Sequence, residues 1–136
     1  MVAAFPSYGE GTFPRLLASK LLVGDSPTLS LMQGTVSLLI LRSLLRGPAH
    51  GYAISAWIRE RTDGTLSMED AALYQALHRL EARGWVEAEW GVSDTNRRAK
   101  YYSLTTAGRR QLRSEVSVWK RYAEAMLKVI DEPSGG

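Results

Sequence analysis

The sequence contains no cysteine, which removes disulfide frameworks, thiol catalysis and thiolate zinc sites together. Its two histidines, His50 and His78, are too few to form a cluster of imidazoles around a metal. Long apolar runs are also lacking. The best candidate, VSLLILRSLL at 36–45, falls well short of the ~20 residues a membrane helix needs and contains Arg42. The N-terminus has no basic segment leading into an uninterrupted apolar stretch, so no secretion signal is read there and a reducing cytoplasm is the expected compartment. Enzyme signatures are missing as well: there is no glycine-rich phosphate loop and no nucleophile elbow. Glu87 and Glu89 read as the solvated face of a strand, with no pocket to tune them as an acid/base pair. No catalytic residue, metal site or cofactor is expected.

The most informative absence is local. Between Arg97 and Arg113 the chain has six cations, Arg97, Arg98, Lys100, Arg109, Arg110 and Arg113, and no Asp or Glu. The net charge of +3 over 136 residues is mild, so it is this local field that can steer phosphate.

The length suits one folding unit with appendages. Residues 1–28, with Pro6, Pro14 and Pro27, read as an N-terminal arm, with one helical patch at PRLLASKLL where Pro14 suits a helix start. From Ser30, Val36, Leu39, Ile40 and Leu44 lie near helical spacing and the helix stops at Gly47-Pro48. A second helix of about ten residues carries Ile54 and Ile58 at i and i+4, starts after His50 as a cap, and ends at Asp63-Gly64. Two short helices joined by a tight turn outline the start of a helix-turn-helix.

A third helix is predicted to open at SMED, with Ser67 as cap, Asp70 closing a capping box and Glu69 favouring the helix dipole. Along it Leu73, Leu77 and Leu80 fall on one stripe that must face the core. Ala71, Gln75, His78, Arg79 and Ala82 lie opposite, with Tyr74 on the flank. After Gly84, WVEAEW alternates, with Val86, Ala88 and Trp90 on one side and Trp85, Glu87 and Glu89 on the other. GVSDTNRRA is turn chemistry, and KYYSL returns as a strand with Tyr102 and Leu104 on one face. Arg97, Arg98 and Lys100 thus sit on the tip and return strand of a β-hairpin that directly follows a helix-turn-helix, as a wing would.

Thr105 or Thr106 then caps one long helix to about Ile130. Leu112, Val116, Trp119, Ala123, Met126 and Ile130 follow at spacings of 4, 3, 4, 3 and 4, a heptad seam that a second subunit would cover. The expected fold is mainly α with a small β-hairpin wing (α+β). Residues 29–105 form a winged helix-turn-helix, 106–130 a dimerisation helix, and 131–136 a frayed tail.

LMQGTVSLLILRSLLRGPAHGYAI, LYQALHRLEARGWVEAEW and NRRAKYYSLTTAGRRQL, in that order and spacing, closely resemble the PadR-like family of bacterial transcriptional regulators over roughly residues 29–130. The resemblance implies a winged helix-turn-helix, a C-terminal dimerisation helix and homodimeric DNA binding. It also implies repression as the usual outcome and release by a small phenolic or lipophilic molecule. The chain departs from the pattern where Ala71-Ala72 replace a common Gly-Thr, and its arm is longer than usual.

On these grounds Gln75, His78 and Arg79 are expected to reach base edges or nearby phosphates, Arg79 being able to read guanine, while Tyr74 contacts the backbone. Arg97, Arg98 and Lys100 are expected at phosphate or in the minor groove. Tyr52 either donates to phosphate or packs. Trp119 is either dimer core or, as its place in the drug-binding branch implies, part of an aromatic pocket with Tyr122 and Met126 for a flat effector. The expected partners are double-stranded DNA with a pseudo-palindromic operator, a second copy of the chain and a small aromatic effector, with no membrane. Two other classes of function share these features: a winged helix used for protein assembly, and a ligand scavenger without specific DNA binding.

Overall fold

The computed structural model describes residues 34–133. The arm expected at 1–28 with its helical patch, residues 29–33 and the end of the expected tail lie outside that range. Within it the element order is α1 (Val36–Ser43), a 3-10 turn (Leu44–Arg46), β1 (Ala49–His50), α2 (Gly51–Arg61), α3 (Asp70–Ala82), β2 (Val86–Val92), β3 (Arg98–Leu104) and α4 (Thr106–Ile130).

The helical stripes read from the sequence converge on one core. Ile40, Leu41 and Leu44 meet Ile54 and Ile58 of α2 and Leu73, Leu77 and Leu80 of α3. Removing each such side chain from water contributes about 1.5–3 kcal/mol. Ala76, fully buried between the α3 leucines, allows close approach on the same face. Ser43 is buried too, and its hydroxyl is satisfied by donating to the Ile40 carbonyl at 2.7 Å.

α2 begins as expected: His50 Nδ1 accepts the Ala53 N–H at 3.2 Å. α3 begins differently. Met68 turns into the core, which holds the chain extended up to Glu69, and the helix opens at Asp70. Ser67 is therefore outside the helix and the predicted capping box does not form; Glu69 takes the cap position without a side-chain bond. α3 ends at Ala82 and is closed off by Gly84, whose N–H bonds to the Glu81 carbonyl while that of Trp85 reaches Leu80, both at 3.0 Å.

β2 and β3 pair antiparallel from Val86↔Leu104 to Val92↔Arg98. The sequence suggested a two-stranded hairpin, whereas the sheet has three strands in the order β1-β3-β2, with Ala49 opposite Tyr102. Two residues of strand are too few to show a period, so β1 left no pattern to read. The connection is also shorter than the turn-rich composition suggested, because Asn96 takes a left-handed conformation (φ 61°) and its N–H reaches the Ser93 carbonyl at 2.8 Å.

The junction between α3 and α4 is tightly fixed. Thr105 caps α4 by accepting the Gly108 N–H at 3.0 Å, and its hydroxyl donates to the Gly84 carbonyl at 2.6 Å. Its own N–H reaches the Trp85 carbonyl at 3.1 Å. Gly108 sits so close to Trp85 that a Cβ there would overlap that carbonyl oxygen. One turn later Leu112 enters the core. Leu112, read as a seam residue, is thus used within its own chain, and Val116 packs against the same core.

Candidate nucleic-acid interface

α3 is held by its leucines, so its opposite face must point outward. Tyr74, Gln75, His78 and Arg79 are all exposed, as are Ala71, Ala72 and Ala82. Tyr74 and His78, and likewise Gln75 and Arg79, stand one helical turn apart and form a continuous surface. Glu69 and Asp70 lie at its N-terminal edge, where their charge already complements the helix dipole.

Tyr74 also joins α3 to α2. Its phenol lies over the buried Gly51, where an added Cβ would come within 2.5 Å of the hydroxyl oxygen. Glycine therefore allows the second helix to start directly beneath the tyrosine. Tyr52, the next residue, is 71% exposed and so does not pack in the core. The rings of Tyr52 and His50 are 6.5 Å apart.

The three wing cations occupy different places. Arg97 is in the connecting loop, Arg98 is the first residue of β3, and Lys100 lies two residues further in. Arg98 lays its guanidinium over the Trp90 ring, 4.4 Å from the centroid. Lys100 is drawn back toward α3: its Nζ is 3.5 Å from Glu81 Oε1, with both side chains 36% exposed. A partly exposed pair of this kind contributes about 0–1 kcal/mol. It positions Lys100 beside α3 and leaves the wing tip to the two arginines. Next to it, burial pushes the Tyr102 phenol above its ordinary value; Glu81 and Tyr74 add to the rise and Lys100 opposes it. Tyr102 therefore stays neutral.

These elements border a groove of about 980 Å³ between α2 and the wing. It brings Tyr52, Tyr74, Arg97, Arg98 and Lys100 together, although 48 residues separate the first and last in the chain. Gln75, His78 and Arg79 lie outside the groove on the adjoining face of α3.

Sequence reading missed several of the lining residues. Trp90 shares one side of β2 with the buried Val86 and the half-buried Ala88, yet it is 57% exposed because β2 runs on past the core. Arg46, at the end of the first helical segment, lies over the Trp57 ring at 5.5 Å and lines the opposite wall. Its only signal was a lone cation before Gly47-Pro48. Glu60 and Asp94 are the acidic members of the lining.

On α4, Trp119 and Tyr122 stack with ring centroids 6.1 Å apart and an interplanar angle of 25°. Beyond them Met126, Leu127, Val129 and Ile130 are exposed. Among the described residues no helix is long and apolar enough to cross a membrane.

Residues 40–114 match the transcriptional regulator PadR-like family. An uncharacterised protein X of Lysinibacillus sphaericus is 36% identical over 95 residues, which is 69% of this chain and 86% of that protein. A transcriptional regulator from Clostridium thermocellum, of solved structure, is 31% identical, with a TM-score of 0.65 over 71% of this chain and 90% of its own. A PadR family transcriptional regulator from Eggerthella lenta is 26% identical, also with a TM-score of 0.65, and the match covers 91% of this chain and 100% of that one. With its α3 face turned outward beside a cationic wing, the chain belongs to the PadR-like family of transcriptional regulators, whose members act by binding DNA and not by catalysis.

Proposed function

We propose that this protein is a homodimeric repressor of the cytoplasm that binds a pseudo-palindromic operator and is released by a small aromatic or lipophilic molecule. Residues 29–105 serve as the DNA-binding unit and 106–130 as the dimerisation helix. The observation that carries the reading is the convergence of Tyr52, Tyr74, Arg97, Arg98 and Lys100 around one groove that continues into the exposed face of Gln75, His78 and Arg79.

In this reading each α3 enters a major groove. Gln75, His78 and Arg79 contact base edges, and Arg79 reads guanine through its paired donors. Tyr52 and Tyr74 donate to the backbone, and Arg97 and Arg98 hold phosphate or the adjoining minor groove, with Lys100 behind them. Two-fold symmetry sets the half-sites about one helical turn apart, roughly 34 Å. The homodimer is supported by the exposed apolar residues of distal α4, with Trp119, Ala123, Met126 and Ile130 as the seam; Leu112 and Val116 brace it from inside each subunit.

A flat effector seated near Trp119, Tyr122 and Met126 would act only if it favours a dimer whose α3 helices are wrongly spaced. The latch between Thr105, Gly108 and the end of α3 supports such a route, since it ties the start of α4 to the end of α3.

The test is fluorescence anisotropy against DNA from immediately upstream of the protein's own gene, with a scrambled control, at about 50 and 200 mM salt. Preference for the native sequence with a steep salt slope is expected. Weak, equal binding to both would count against a specific regulator and favour a ligand-binding role for α4.

A further inference from the structure

We propose that the groove between α2 and the wing seats a stretch of the sugar–phosphate backbone beside the half-site read by α3, and that Arg46 and Arg98 clamp it from opposite walls. This deepens the DNA-binding role and rests on it. The argument starts from how the two guanidinium groups are held. Arg46 lies over Trp57 at 5.5 Å and Arg98 over Trp90 at 4.4 Å, one pair on the α1–α2 side of the groove and the other on the wing. Each contact holds a guanidinium beside an aromatic face while both arginines stay exposed, so their N–H groups remain available to a phosphate.

The remaining lining fits the same occupant. Tyr52 and Tyr74 are exposed and line the same groove, with rings apolar enough to cover a deoxyribose and phenols able to donate to a phosphate oxygen. Four cations against Glu60 and Asp94 leave the groove positive. Because a backbone carries no base identity, the clamp contributes affinity and register and leaves sequence discrimination to α3. Trp57 and Trp90 are then positioning residues, each holding an arginine in place.

Ethylation interference on an operator duplex, run with wild-type protein and the exposed variants Arg46→Gln and Arg98→Gln, tests this directly. The phosphates whose ethylation ceases to matter in the two variants should be neighbours on one strand. Arg46→Gln should also flatten the log–log salt dependence by about 0.9, one phosphate's share, and weaken operator and scrambled DNA alike. Trp57→Leu should reproduce that loss and Trp57→Phe restore it, an outcome that a merely structural tryptophan would not give. If Arg46→Gln keeps the wild-type slope and footprint while Arg79→Ala abolishes sequence preference, the clamp is refuted and the DNA-binding role stands. If the two arginines map to different strands, the single-strand path is refuted. If wild-type protein binds no duplex at all, the clamp falls together with the role it rests on.

Discussion

The two halves of α4 share one helix and one apolar repeat yet meet different surroundings. In the first half, Gly108 closes on the Trp85 carbonyl, Thr105 bonds to the end of α3, and Leu112 enters the core. In the second half, Met126 and Ile130 remain exposed although their spacing continues the same pattern, as do Leu127 and Val129 beside them. A hydrophobic period therefore states that a face will be covered without stating by what. The proximal part is covered by its own chain, and the distal part stays open to solvent, where the proposed second subunit would sit.

The sharpest way to break that contrast is Gly108→Val. Any side chain there displaces the Trp85 carbonyl, and a branched one cannot retreat, so we expect a loss above ~4 kcal/mol, a large share of what a small domain has. Thermal unfolding should lose its cooperative transition; a melting temperature near that of wild type would show that the junction yields easily. Leu112→Ala should cost about 2–5 kcal/mol in urea titrations, and equally at high and low protein concentration, since the lost contacts are internal. A cost that vanished on dilution would return Leu112 to the subunit seam.

The distal half should respond in the opposite manner. Met126→Glu combined with Ile130→Glu places charge on the proposed seam and touches nothing in the core. Sedimentation at micromolar concentration should then report monomers that unfold normally, with operator affinity reduced about 100-fold as the two half-sites cease to bind as a unit. Monomeric wild-type protein would remove the seam altogether.

Much of this was legible in the sequence because it depends on period. The α3 stripe of Leu73, Leu77 and Leu80, the Ile54–Ile58 pair and the full extent of α4 follow from regular spacing, and each was found where spacing placed it. What escaped depends on three-dimensional neighbours. Whether Ser67 caps α3 was decided by Met68 being drawn into the core, and whether Trp90 is buried by how far β2 outruns that core. The interface divides in the same way. Gln75, His78 and Arg79 could be picked out as the face opposite a core stripe, whereas Arg46 joins the groove only because α2 and the wing close around it. Lys100 appeared in the sequence as one of three equivalent cations, and a carboxylate 19 residues earlier distinguishes it.

The smallest expected effect concerns how α3 is tied at its C-terminal end. Toward α4 it is held by the Thr105 hydroxyl, the Thr105 N–H and the close seat of Gly108. Toward the wing there is the half-exposed Lys100–Glu81 pair. Thr105→Ala should therefore destabilise by about 0.5–2 kcal/mol as a lost cap, and Glu81→Gln by less than about 1 kcal/mol. Amide exchange separates the two ties more finely than melting does. In Thr105→Ala the Gly108 amide should lose protection, whereas in Glu81→Gln protection at the latch should persist and only β3 near Lys100 should exchange faster. If Glu81→Gln instead loosened the latch, the wing and α4 would be coupled through α3, and the effector proposed for α4 would reposition the wing along with α3.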